Sequence, residues 1–211
     1  MKTNELISLL TEDTPVRIRL GRVLTTALIA GTAISAVMLL STVGIRHDIW
    51  SAIETARVLF KVGLMLTLVV VAAAAVFRIG RPGVSLRPAA LALLIPLGLL
   101  IAAVAIELSV LPSQAWESQL MGHNARFCLM FIPVLSLAPL AGFMLALRNG
   151  APERPTLAGA AAGLASGAIA AALYAWHCVD DSPLFVATWY TIAIAAVTAI
   201  GAVLGRRYLR W

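Results

Sequence analysis

The side chains best suited to chemistry lie in YAWHCVDDSP, residues 174–183, directly after a long apolar run. His177, Cys178, Asp180 and Asp181 place an imidazole, a thiol and two carboxylates within five consecutive positions. Ionisable groups are costly in hydrocarbon, so a membrane-spanning helix must end where this cluster begins. The cluster therefore marks the end of a hydrophobic segment and offers candidate ligands there.

Two further candidates, His123 and Cys128, lie five residues apart at the start of another apolar run. Thiolate and neutral imidazole suit Cu(I), Zn(II) and similar ions, and a site needs three or four such groups to converge. The chain contains no CxxC or HxxxH motif. Only the location of these residues at the ends of apolar runs therefore indicates a metal site. The candidate sensing or metal-binding residues are Cys128, Cys178, His177, His123, Asp180 and Asp181.

Other interpretations of these residues are open. Two cysteines on an oxidising face can form a structural disulfide, or each can be a small buried apolar residue. A pair that switches between thiols and a disulfide lies between the structural and sensing interpretations. His177 and the two aspartates can equally serve the helix end and the turn before Pro183.

The composition indicates an integral membrane protein. The chain has 211 residues, of which 61% are hydrophobic and 12% charged, with a mean hydropathy of +0.93; soluble domains average about 25% charged residues. The basic residues lie in short loops, so the pI near 10.2 does not indicate nucleic-acid binding. An all-α bundle of six membrane-spanning helices is predicted. The predicted spans are residues 23–44, 58–77, 88–108, 127–147, 157–176 and 184–204.

The distribution of basic residues predicts the orientation of the bundle. Twelve lysines and arginines flank one side of the predicted spans and four flank the other, so the richer side is expected to be cytoplasmic. Both termini then face the cytoplasm, and all three histidines and both cysteines lie at the outer side. We expect a tail at 1–22, a membrane domain at 23–205, a basic end at 206–211, and no cleaved signal peptide.

The N-terminal tail has a short amphipathic pattern. Thr3 or Asn4 can cap the start of a helix, and Glu5 suits its first turn. Leu6, Ile7, Leu9 and Leu10 then form an apolar stripe. A helix of this length does not hold together alone in water, where about 12–15 residues are already marginal. The stripe therefore lies on the membrane surface or binds a cytosolic partner. Its lack of Trp and Phe favours the partner.

A glycine repeat predicts how one span packs. Gly159, Gly163 and Gly167 recur at intervals of four and form a helix face of small residues. Such a face favours close packing within the chain over contact between copies of the chain, although a homo-oligomer stays open.

Three ionisable residues, Arg57, Lys61 and Glu107, lie near the outer ends of the predicted spans. Snorkelling of their side chains to the membrane interface explains these positions.

Several long strings resemble one known family. They are MKTNELISLL at the start, RFCLMFIPVLSLAP at 126–139, LRNGAPERPTLAGAAAGLASGAIAAALYAWHCVDDSP at 147–183, and ATWY with GRRYLRW near the end. With these strings the chain resembles the NrsF family, six-span bacterial anti-sigma factors. The resemblance covers essentially the whole chain.

The resemblance implies a regulator and not an enzyme. The N-terminal segment would hold an extracytoplasmic-function (ECF) sigma factor at the bacterial inner membrane. Cys128 and Cys178 would sense heavy-metal or oxidative stress from the periplasm and cause its release. It implies no required cofactor and no nucleic-acid contact, although a regulatory ion of the Cu, Zn or Cd type fits the outer face. With no folded anti-sigma domain and no HxxxCxxC motif in the tail, the loops RIGRPG and RNGAPERP have room to contribute.

Two other classes remain as alternatives. A small metal-ion transporter usually needs ionisable residues at mid-membrane, and the predicted spans have none there. A membrane thiol-redox protein usually carries a CxxC motif, which this chain lacks.

Overall fold

The computed structural model describes residues 20–81, 83–150 and 152–210, and these residues form helices and connecting loops without a strand. Six helices are long and apolar enough to cross a membrane, which confirms the predicted fold class. In chain order they are α1 (Leu20–Thr42), α2 (Ala56–Ile79), α3 (Arg87–Val110), α4 (Ala125–Arg148), α5 (Pro155–Tyr174) and α6 (Pro183–Tyr208).

The helices depart from the predicted spans by one to four residues at each end. Most extend beyond the prediction because polar end residues continue the helical hydrogen bonding, whereas α1 and α5 end two residues earlier. α3 is interrupted at Leu93, and α6 contains a π-helical turn at Val186–Tyr190. Short helices at Ile49–Ala52, Ser113–Ala115 and Trp116–Met121 lie in the connections. The tail residues proposed to bind a partner (Asn4, Glu5, Leu6, Ile7, Leu9 and Leu10) lie outside the described residues.

α5 is the central helix of the bundle, and it packs against α2, α4 and α6. The glycine-lined face of α5 lies in close backbone contact with α6. A Cβ atom added at Gly159 would lie only 2.7 Å from the Gly205 Cα, and one added at Gly163 only 2.8 Å from the Thr198 Cα. Gly167 continues the same face against Ile194. The repeated glycines thus serve a contact between two helices of one chain.

A proline inside α4 leaves one backbone carbonyl without its usual helical donor. Pro139 has no N–H, so the carbonyl of Leu135 loses its helical donor. The Ser35 hydroxyl of α1 donates to that carbonyl at 2.6 Å. Gly31, one turn earlier in α1, packs directly on Pro139. The α1–α4 contact therefore satisfies a carbonyl that the proline frees.

The connections gather at the two ends of the bundle. One end, the cysteine face, consists of the connections 43–55, 111–124 and 175–182. The other end, the tail face, consists of the connections 80–86 and 149–154 and the start of α1. There the Leu20 side chain packs against Gly80 and Gly150. Leu20, the first described residue, therefore lies beside both connections of the tail face.

Candidate functional site

The two cysteines meet at the cysteine face. Cys128 lies in the first turn of α4 and Cys178 in the connection that follows α5, and both are fully buried. Their Sγ atoms are 4.0 Å apart and both thiols are free. A disulfide has an S–S distance of about 2.0 Å. The structure therefore shows a pair of facing thiols and not a structural disulfide.

Two tyrosines complete the surroundings of the thiols. Tyr174 and Tyr190 are fully buried in the same apolar cluster, with ring centres 6.2 Å apart. The Tyr174 hydroxyl lies beside Cys128 and the Tyr190 hydroxyl beside Cys178. Within the described part of the chain neither hydroxyl has a hydrogen-bond partner. Sequence reasoning missed both residues, although Tyr174 lies only four positions before Cys178.

Residues 175–182 form what we call the Cys178 loop, and Lys61 of α2 anchors it. The Lys61 ammonium donates to the carbonyls of Cys178 at 2.8 Å and Asp180 at 3.3 Å, and it pairs with the Asp181 carboxylate. The Lys61 side chain is 0% exposed. The snorkelling expected for Lys61 is therefore wrong: the loop folds back over α2 and supplies the acceptors that a buried ammonium requires.

Arg46 binds the same loop from the α1–α2 connection. Its guanidinium pairs with Asp181 at 2.8 Å and with Asp48 at 2.7 Å. The hydrogen bond from Arg46 lowers the pKa of the Asp48 carboxyl from 3.8 to about 2, so this pair is ionised at neutral pH. The His177 ring lies 3.1 Å from the carbonyl of Gly44. His177 thus fastens the loop to this connection.

Asp180 binds the N-terminus of α4. Its carboxylate accepts from the backbone N–H groups of His123 at 3.0 Å and Asn124 at 2.8 Å. A carboxylate at this position satisfies unpaired amides and complements the helix dipole. Gly122 permits the contact, because its φ is +53° and an added Cβ would lie 2.8 Å from Asp180 Cγ. The His123 ring is 3.3 Å from Asp180, and its side chain is 90% exposed.

Glu107 ties the loop to α3. One carboxylate oxygen accepts from the Ser182 hydroxyl at 2.8 Å and from the Leu184 N–H at 3.0 Å, and the other pairs with Arg57 at 3.1 Å. Glu107 is buried, so snorkelling does not describe it either. Arg57 alone of the three is half exposed. The Cys178 loop is thus bound by side chains from α2, α3 and the α1–α2 connection, and it caps α4.

The six candidate residues predicted from the sequence therefore divide into two groups. Cys128 and Cys178 come together as a thiol pair, whereas His177, His123, Asp180 and Asp181 hold the loop in place. In the part of the chain that the structure describes, no group of three or more His, Cys, Asp and Glu residues is arranged to hold a metal ion. The chemistry of the site is that of two thiols.

The environment of Cys178 favours its thiolate. The hydrogen bond from Cys128 and the Lys61 charge lower the pKa of the Cys178 thiol, against the opposing effect of burial.

A polar recess of about 420 Å³ lies alongside the loop. It is lined by Thr55, Arg57, Ser118, Gln119, Gly122, His123, Val179, Asp180, Asp181 and Ser182.

The six apolar helices are those of a multi-pass membrane protein. Among the described residues, the polar connections of its cysteine face surround a pair of buried thiols. Comparison with known proteins places this molecule within a regulatory class. The chain belongs to the NrsF family, whose model is described as a negative regulator of sigma F and matches residues 9–211. The resemblance found in the sequence is thereby confirmed.

Two relatives carry anti-sigma names. The chain is 33% identical over 183 residues to a probable anti-sigma-F factor NrsF of Azospira oryzae, covering 86% of this chain and 85% of the relative. It is 45% identical over 98 residues to the anti-sigma-F factor NrsF of Caulobacter vibrioides, covering 46% of each protein. No solved structure matches the chain.

Proposed function

We propose that this protein holds an ECF sigma factor at the bacterial inner membrane through its N-terminal segment. It releases the sigma factor when Cys128 and Cys178 meet a soft metal ion or an oxidant at the periplasmic face. Membership of a family of negative regulators of sigma F supports the sigma-factor partner. The facing thiols support the sensing step.

The distance between the sulfurs is the observation that carries the sensing proposal. Two metal–thiolate bonds of about 2.3 Å at a tetrahedral angle separate the sulfurs by about 3.8 Å. The Sγ atoms of Cys128 and Cys178 are 4.0 Å apart, so a soft cation can bridge them with little movement. Oxidation to a disulfide would instead draw the sulfurs together by about 2 Å. Both events act on the contact between α4 and the Cys178 loop.

The orientation of the bundle supports sensing outside and binding inside. Twelve of the 16 basic residues flank the tail face, and basic residues stay on the cytoplasmic side of a membrane. The cysteine face is then periplasmic, and both termini lie in the cytoplasm. A sigma factor bound to the tail is thus separated from the thiols by the membrane.

α2 links the two faces directly. Near its start Lys61 binds the Cys178 loop, and beyond its end Gly80 packs on Leu20, where the tail begins. Movement of the loop on metal binding would therefore act on the attachment of the tail. Reversing a 99:1 bound population requires about 5.5 kcal/mol of differential binding. Structural zinc sites with four Cys and His ligands contribute about 10–16 kcal/mol, and a bridge of two thiolates would have to supply about a third to a half of that.

The tail-binding proposal predicts that the apolar stripe is required for sigma-factor capture. Leu6→Asp with Leu9→Asp removes apolar surface that a partner groove would bury, so capture should fall at least tenfold. The measurement is co-purification from gently solubilised native cells, with a chain that lacks residues 1–18 as the empty reference. Leu6→Met with Leu9→Met is the matched control and should retain the partner. Equal capture by all four chains would exclude the tail as the binding segment.

The sensing proposal predicts that neither cysteine alone supports the response. Cys128→Ser and Cys178→Ser should each hold the sigma factor but fail to release it when cells receive Cd²⁺ or Zn²⁺, because one thiolate cannot form the bridge. A transcriptional reporter of the sigma factor measures release. Ser41→Ala, an exposed change near the same face, should respond as the parent does. A cysteine variant with the parent response would contradict the proposal.

A further inference from the structure

Three arginines at the tail face line one polar recess, which we call the arginine recess. Arg81 follows the end of α2, Arg87 begins α3 and Arg154 precedes α5. The recess between them has a volume of about 390 Å³, and all three arginines are exposed. Basic residues at the ends of membrane-spanning helices lie at the level of the lipid headgroups.

The arginine recess carries an excess of positive charge. Glu153 is the one carboxylate among its described lining residues, and it accepts from the backbone N–H of Gly83 at 2.9 Å. Within the described chain, no ion pair joins any of the three guanidinium groups to a carboxylate. A guanidinium binds phosphate through two parallel hydrogen bonds. Three guanidinium groups against one carboxylate therefore suit a phosphate anion.

An apolar groove lies deeper in the membrane beside the same helix. It has a volume of about 500 Å³ and lies between α2, α3 and α6. α3 packs mainly on α2 and on the start of α6, so the groove stays open where α3 passes the middle of α6. Water needs polar partners, which this lining does not offer. In a bilayer such a groove is filled by hydrocarbon chains.

The arginine recess and the groove lie along one face of α3. Leu86 lines the recess, and Leu93, Leu97 and Leu100 line the groove. These four leucines recur at spacings of seven, four and three, which is the pattern of one helix face. Leu93 is about 9 Å along the helix from Arg87. A polar site at headgroup level is thus followed by an apolar site at the depth of acyl chains.

We propose that this face binds one anionic phospholipid of the leaflet at the tail face. Its phosphate lies against Arg81, Arg87 and Arg154, and one acyl chain lies in the groove between α3 and α6. The charge of the recess selects an anion, and the groove selects a molecule with a hydrocarbon chain. A cytosolic protein segment would satisfy the first requirement but could not enter the membrane to satisfy the second. The inference does not depend on the sigma factor or on the thiols.

Lipid retention by the purified full chain tests the proposal. The chain is held in a neutral detergent with phosphatidylglycerol or with phosphatidylcholine of the same acyl chains, and native mass spectrometry counts the bound lipid. The choline group cancels the phosphate charge, so we expect phosphatidylglycerol to be retained at least about tenfold better.

Replacing the arginines should remove this preference. The combined change of Arg81→Gln, Arg87→Gln and Arg154→Gln should lower the retention of phosphatidylglycerol to that of phosphatidylcholine. Arg81→Gln with Arg154→Gln takes its place if the triple variant does not fold. Arg206→Gln is the matched control, because Arg206 is exposed at the same face but is not among the residues of the recess. An unchanged preference in the folded arginine variants would overturn the proposal.

A pair of alanine variants tests the acyl chain. Ala199 of α6 lines the groove and is exposed, so Ala199→Phe should fill the groove and lower the retention of phosphatidylglycerol severalfold. Ala196→Phe adds the same ring at an exposed position that does not line the groove, and it should retain the lipid as the parent does. Equal retention by the two variants would show that no acyl chain occupies the groove.

Two further measurements distinguish other occupants of the arginine recess. Glycerol 3-phosphate carries the phosphate without acyl chains and should not displace the lipid at equal concentration; if it does, the recess binds a soluble phosphate and the proposal fails. The proposal also fails if the arginine variants lose sigma-factor capture in cells but keep the lipid preference. The variants of the N-terminal tail test capture itself, so the two proposals can fail separately.

Discussion

Replacing Asp181 with alanine is expected to destabilise the folded protein by about 3–5 kcal/mol, the cost of leaving a buried charge without its partner. The Lys61 ammonium is 0% exposed and would lose its only carboxylate among the described residues. The Cys178 loop would lose its bonds to both Lys61 and Arg46 at the same residue. The measurement is the free energy of unfolding from titration of the folded protein in mixed detergent micelles with SDS.

Asp48 provides the matched control. Asp48 pairs with the same Arg46 guanidinium, but its side chain is 55% exposed. Because the Asp48 carboxylate is exposed and Asp181 still pairs with Arg46, Asp48→Ala should destabilise the protein much less than Asp181→Ala does. Equal losses in the two variants would mean that Arg46, and not buried Lys61, governs the stability of the loop.

Gly159→Ala is expected to destabilise the protein by about 1–3 kcal/mol through overpacking. The added methyl group would lie 2.7 Å from the Gly205 Cα, and backbone atoms cannot rotate away as a side chain can. α5 and α6 must therefore separate. Because Cys178 follows α5 directly, its sulfur should also move relative to Cys128. Unfolding measurements report the first effect, and the rate of disulfide formation with a mild oxidant reports the second.

Gly63→Ala is the control for this substitution. Gly63 lies inside α2, and a Cβ at that position would meet nothing within 4 Å. Alanine favours a helix over glycine by up to about 1 kcal/mol, so Gly63→Ala should be neutral or slightly stabilising. If Gly159→Ala is equally harmless, the close packing of α5 on α6 is not important to stability.

The six helices could be predicted from the sequence because each depends on a local property. An apolar run of about 20 residues must form a helix in a membrane, whatever its neighbours are. Alternation of direction then places the C-terminal end of α5 and the start of α4 at one face of the bundle. This alternation predicts that Cys128 and Cys178 lie at the same face. The glycine repeat of α5 likewise indicated a close helix contact.

The partners of the polar residues could not be predicted in this way. Near the end of a span, a lysine or glutamate can reach the interface or turn into the protein, and hydropathy is the same in both cases. Both residues turn into the protein because the Cys178 loop folds back over them. The loop offers acceptors to Lys61 and donors to Glu107. The same packing directed Tyr190 at Cys178.

The sequence by itself therefore determined the membrane class, the number of spans and the face on which the thiols lie. Only the tertiary structure decided that His177, Asp180 and Asp181 hold a loop, and that Lys61 lies beside Cys178. The physical reason is that spans follow from the transfer of a local segment into hydrocarbon. A buried charge, in contrast, takes its partner from whichever distant loop packs against it.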